Sequence, residues 1–160
     1  MTPVGETPAL YDDGAGGNSD ADDPAIWRNT ADPGRSLVIA TAKEGGLRVY
    51  DLRALVQSLP APRSPAHDDA PGRYNNVDLV TGLRTAAGRV DVAVVSDRGN
   101  DRLRIYRIDP SKHGGPLTDI TAPAVDPVSP CVGGSTGSMI DLVMQLSIQN
   151  FSAGIMASAP

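Results

Sequence analysis

Cysteine occurs once, at position 131, which excludes a disulfide framework and a zinc site built from several cysteines. Aromatic residues make up 4% of the chain, and no run approaches the roughly 18 apolar residues that a membrane-crossing helix needs. A membrane is therefore not an expected partner. The first ten residues have neither a basic start nor an apolar centre, so as written they are not a signal peptide. A net charge of −5 lacks the basic excess of a nucleic-acid binder. Two charged residue types are nearly missing: lysine appears only at 43 and 112, glutamate only at 6 and 44. Acidity thus rests on aspartate, which suits turns and the loop ligands of hard cations such as calcium. Basicity rests on arginine, which suits bidentate contact with carboxylate or phosphate. From His113 to Pro160 there is neither lysine nor arginine.

What remains is globular: 160 residues, enough for one ordinary domain, with 40% hydrophobic and 21% charged residues. Short β-type runs separated by turn residues predict strands over 25–27, 36–42, 47–51, 77–83, 90–96 and 103–108. Alternation is clear in Leu47-Arg48-Val49-Tyr50 and in Leu103-Arg104-Ile105-Tyr106. The proline-rich stretch from Gln57 to Tyr74 reads as an exposed loop, because Pro60, Pro62, Pro65 and Pro71 cannot sit in an inner strand.

The runs repeat. Asp22-Asp23-Pro24-Ala25-Ile26 aligns with Asn75-Asn76-Val77-Asp78-Leu79 at a shift of 53, and Leu47-Arg48-Val49-Tyr50 aligns with Leu103-Arg104-Ile105-Tyr106 at a shift of 56. Between them, 38–42 followed by Lys43 aligns with 92–96 followed by Asp97-Arg98. Each unit reads as a polar pair, a short strand, a hydrophobic strand, a basic residue in a turn, and an alternating strand. That period fits antiparallel propeller blades; two unrelated meanders in a sandwich are the alternative. Equivalent positions of successive blades converge on one mouth, so Lys43 and Arg98 are expected together, with Asp22, Asp23 and Asp78 opening the matching strands. Two cations held close favour an anion between them. Mixed with carboxylates they suit a calcium–phosphate ligand, whereas plain Asp–Arg pairing on a solvated rim is the structural alternative.

Several further strings carry no chemistry. Gly133-Gly134-Ser135-Thr136-Gly137 fits a nucleophile elbow in letters only, since His67 and His113 both precede it, and it reads as a flexible turn. Asp20-Ala21-Asp22 starts like an EF-hand but has Ala25 and Ala31 where the turn glycine and bidentate glutamate belong. His67 and His113 read as solvated, Cys131 as inert, and Trp27 as a blade-core residue.

The strings Asp20-Ala21-Asp22-Asp23-Pro24-Ala25-Ile26-Trp27, Lys43-Glu44-Gly45-Gly46-Leu47-Arg48-Val49-Tyr50, Asn75-Asn76-Val77-Asp78, and Ser96-Asp97-Arg98 with Ile105-Tyr106-Arg107-Ile108-Asp109 resemble the β-propeller phytases in family order. The resemblance implies an all-β fold of antiparallel four-stranded blades, about two of a family six. It implies an extracellular, calcium-dependent 3-phytase-type phosphatase that releases phosphate from phytate (myo-inositol hexakisphosphate) by metal-activated water. By position it makes Lys43 and Arg98 phosphate contacts and Asp22, Asp23 and Asp78 metal ligands, with Asn76 in a recurring motif; no catalytic residue is assigned. Many members carry two lysines where this chain has Lys43-Glu44. Six blades of about 54 residues need about 320, twice the length here. The expected organisation is therefore an N-terminal extension over 1–19, a partial propeller domain over 20–122 and a divergent tail over 123–160. In that tail Met139, Val143 and Leu146 fall at helical spacing. The alternative function is a non-catalytic propeller fragment or binding module with residual calcium or anion affinity.

Overall fold

The structure, a computed structural model, describes residues 6–10, 20–62, 72–85, 88–100 and 102–121. All of them fall within one compact unit, Met1–Val128. His67, Cys131, the turn at 133–137 and the helical spacing at 139–146 lie outside the described residues.

Among the described residues, eight strands form two four-stranded antiparallel sheets, each a simple meander in chain order. The first holds β1 (Pro24–Trp27), β2 (Leu37–Thr41), β3 (Leu47–Tyr50) and β4 (Leu55–Leu59); the second holds β5 (Tyr74–Thr85), β6 (Gly88–Asp97), β7 (Arg102–Ile108) and β8 (Leu117–Asp119). The fold is all-β with two blade-like sheets. Alternation drives the first: in β2 Leu37, Ile39 and Thr41 are buried while Val38 and Ala40 are half-buried. Trp27, Leu37, Ile39, Leu47 and Val49 of the first sheet meet Val77, Ala93, Val95, Tyr106 and Ile108 of the second in one core. Each such aliphatic side chain contributes roughly 1.5–3 kcal/mol by leaving water. Trp27 fills this core as expected, and its indole N–H donates to Asp91 at 2.7 Å.

The structure corrects three expectations. Gln57, Ser58 and Leu59 are not loop but the end of β4. Proline is excluded from a ladder's interior, yet Pro60 merely ends this edge strand. Strand β8 shows no alternation in Leu-Thr-Asp and is formed by pairing with β7. Strand β5 begins at Tyr74, so Asp78 lies inside the strand rather than opening it.

Gln57 also joins the sheets. Its amide Nε2 donates to the Leu117 carbonyl at 2.9 Å, and its Oε1 accepts from the Leu117 N–H at 2.8 Å. A side chain thereby pairs with the β8 backbone as a strand neighbour would.

Candidate functional site

The register of the ladders places the two repeats on one another. Pro24 faces Ala40 and Val77 faces Val95, so Asp23 and Asn76 occupy the same position before or within the first strand of each sheet. Thr41 pairs with Leu47 and Ser96 with Leu103, which makes Thr41 and Ser96 equivalent at a shift of 55. Hydrogen bonds repeat with the register. The Asp23 N–H donates to Thr41 Oγ1 at 3.0 Å, and the Asn76 N–H donates to Ser96 Oγ at 2.9 Å. Alignment by sequence sets Ala42 against Ser96, one residue away from this match. Two residues beyond each hydroxyl, in the turn to the third strand, stand Lys43 and Arg98.

These two residues flank a single dipeptide. The Tyr74 N–H donates to the Lys43 carbonyl at 3.1 Å, and the Arg98 N–H donates to the Arg73 carbonyl at 2.7 Å. Lys43 and Arg98 therefore lie at the same end of neighbouring sheets, with only Arg73-Tyr74 between their backbones. Lys43 sits at φ +36°. For a residue with a Cβ that left-handed conformation costs roughly 1–2 kcal/mol, a strain characteristic of functional turns. Gly46 completes the same turn at φ +80°, where a Cβ would lie 2.0 Å from the Leu59 carbonyl oxygen. Glycine is required there by both conformation and space. Arg98 is exposed, and its Nη1 donates to Asn75 Oδ1 at 3.3 Å.

The predicted acidic residues separate into two groups. Asp23 Oδ2 accepts the Val77 N–H at 3.0 Å, so its carboxylate ties the first sheet to the second. Asp78 lies near enough to feel it: burial, and then the Asp23 charge, push the Asp78 carboxyl above its ordinary value. Asp22 is exposed and enters the structure through its backbone, donating to the Thr41 carbonyl at 3.0 Å. Among the described residues no group of three His, Cys, Asp or Glu side chains comes together as a metal cage. Asp23 and Asp78 fit calcium as a pair of hard oxygen donors whose mutual repulsion a cation would relieve. Calcium takes six to eight oxygens, so they form part of a shell.

Sequence reasoning missed Arg73 and Thr41 as parts of this end of the sheets, and it quoted Asn75 and Ser96 in motifs without giving either a role. Matching hydroxyls at 41 and 96 were a readable signal; Arg73 had none. Glu44 forms an ion pair with Arg73 across the two sheets. Burial tends to raise the Glu44 carboxyl, but its own backbone N–H, Arg73 and Lys43 outweigh it and hold it below its usual value. Beneath the site the Tyr74 and Tyr106 hydroxyls meet at 2.6 Å, fully buried. Burial foremost pushes both phenols up, so both stay protonated.

Two surface clefts among the described residues lie at the other end of the sheets. One is lined by Arg35, Asp51 and His113 among others, the second by Trp27, Arg89 and Arg107. His113 lies against the Arg35 guanidinium. Neither cleft contains a predicted site residue. No helix among the described residues is long and apolar enough to cross a membrane.

Two blade-like sheets carry a cation at equivalent turns, with a polar pair just before or near the start of each first strand, and the Phytase family model matches residues 3–138. The chain belongs to that family. It is 37% identical over 111 residues to a 3-phytase of Bacillus subtilis (strain 168), covering 68% of this chain and 26% of that relative. The chain thus spans about a quarter of the length of that curated relative.

Proposed function

We propose that this chain carries the phosphate-gripping portion of a calcium-dependent, extracellular 3-phytase, a hydrolase that releases phosphate from phytate. One observation carries the reading: Lys43 and Arg98 occupy equivalent turns of consecutive sheets and share the Arg73-Tyr74 backbone between them. Two cations so placed are suited to two oxygens of one polyphosphorylated ligand. Strain at Lys43 supports it, because the left-handed turn is kept although glycines stand two and three residues on. Asp23 and Asp78 would hold calcium, with Asp22 beside them. Calcium, when bound, supplies Lewis-acid stabilisation of phosphoryl oxygens. This chain's own residues grip and orient the phosphates.

The second reading is a module that binds the anion without turning it over. It is favoured by the lack of a three-residue metal cluster among the described residues. Calorimetric titration of the chain with phytate, with and without calcium, combined with phosphate release, separates the two. Binding with release marks the hydrolase; binding alone marks the module. A charge-assisted contact is worth about 1.5–3 kcal/mol, so Lys43→Ala and Arg98→Ala should each weaken phytate binding by roughly ten-fold or more. Unchanged affinity in both variants would remove the assignment.

A further inference from the structure

Asp97 places a carboxylate in the interior of the second sheet with its side chain fully enclosed. A charge there is tolerated only when its oxygens are occupied. Oδ1 accepts the Arg73 N–H at 3.0 Å; Oδ2 accepts from Asn100 Nδ2 at 2.8 Å and faces Arg104 Nε at 3.5 Å. The fold itself does not ask for this charge. By the register that equates Thr41 with Ser96, the matching position of the first sheet is Ala42, also fully buried. An alanine suffices in the first sheet, where the turn is braced from elsewhere, by Asp20, whose Oδ2 accepts the Gly45 N–H at 3.2 Å.

The difference lies in what the carboxylate reaches. Arg73, gripped through its N–H, gives its carbonyl to the Arg98 N–H, and the next N–H, that of Tyr74, goes to the Lys43 carbonyl. The geometry points to Asp97 as a positioning residue that holds Lys43 and Arg98 in mutual register through the Arg73-Tyr74 dipeptide. The Asn100 amide, which also donates to the Pro62 carbonyl at 3.2 Å, keeps the carboxylate aimed. This assignment rests on the phosphate-gripping reading above.

The test is Asp97→Ala in the full chain, which recreates the composition of the first repeat. Amide hydrogen exchange should accelerate at least ten-fold at Arg73, Tyr74 and Arg98 while Ile39 and Val49 keep their protection. Phytate affinity by calorimetry should fall about ten-fold. In a chain already carrying Lys43→Ala and Arg98→Ala, adding Asp97→Ala should cost no further affinity, because a positioning residue has nothing left to position. Evenly spread or absent acceleration, or an additive loss of affinity, would overturn the assignment. Should Asp97→Ala not fold, Asp97→Asn retains Oδ1 for Arg73 and loses the charge facing Arg104; smaller changes at the same three amides are expected, and their absence counts against the idea. If the parent chain binds neither phytate nor inorganic phosphate, the gripping reading falls, and the exchange pattern alone decides whether Asp97 orders the two turns.

Discussion

Asp23 has two separable duties, and two substitutions tell them apart. Its carboxylate accepts the Val77 N–H at 3.0 Å, and Val77 is only 3% exposed, so water cannot replace a lost acceptor. Asp23→Ala should therefore cost about 1–3 kcal/mol for the orphaned amide. Relief of the repulsion on Asp78 offsets little of that, since Asp78 is exposed and screened. A net loss of about 2 kcal/mol lowers the melting temperature of a unit this size by roughly 8 °C. Asp23→Asn keeps an acceptor oxygen and should melt within about 2 °C of the parent, because only the charge is gone. Calcium reverses the comparison. A cation at 100 times its Kd stabilises the parent by about 2.7 kcal/mol, and both variants should lose most of that increment. Trp27, the sole tryptophan and a core residue, provides the fluorescence signal for the melts. Equal damage by Asn and Ala without calcium would refute the inter-sheet role; an undiminished calcium shift in both would refute the ligand role.

Three other outcomes are expected. Tyr74→Phe strands the buried Tyr106 hydroxyl and should destabilise by about 1–3 kcal/mol in urea unfolding, whereas Tyr74→Phe combined with Tyr106→Phe should recover much of the loss. Asp78 binds its proton more tightly when folded than its ordinary value of 3.8 allows, so its contribution to stability is highest below pH 3.8 and declines as pH rises through the folded value. Asp78→Asn should remove that decline, visible as a flatter stability profile between pH 3 and 6 without calcium. Gln57→Ala removes both bonds to Leu117 and should cost about 1–2 kcal/mol, with faster amide exchange at Leu117 but not at Val38.

The repeat was legible because each blade writes its own local pattern: a polar pair, alternating apolar residues, a basic residue in a turn. Lys43 and Arg98 could be paired by counting along the two copies. In the second strand Ala42 and Thr41 both make passable partners for Ser96, and only the ladder and its hydroxyl bonds separate them, in favour of Thr41. Strands β4 and β8 were invisible for a different reason. As edge strands they bury little, so neither Leu55–Leu59 nor Leu117–Asp119 needs the alternation that marks an inner strand. Ile26 and Leu79 show how context overrides pattern. They hold equivalent positions, yet Leu79 packs against the core and Ile26 is 71% exposed, because only Leu79 has a neighbouring sheet in front of it.

By itself the sequence determined the all-β class, the two-unit repeat, the family and the matching positions of Lys43, Arg98 and the aspartates, since these depend on neighbours a few positions apart. Tertiary structure alone decided that Arg73-Tyr74 lies between Lys43 and Arg98, that Asp97 is enclosed beneath them, and that Asp23 and Gln57 stitch one sheet to the other. Those contacts join groups from 24 to 60 residues apart. No periodicity encodes them, because which side chain meets which backbone amide is settled only when two sheets pack.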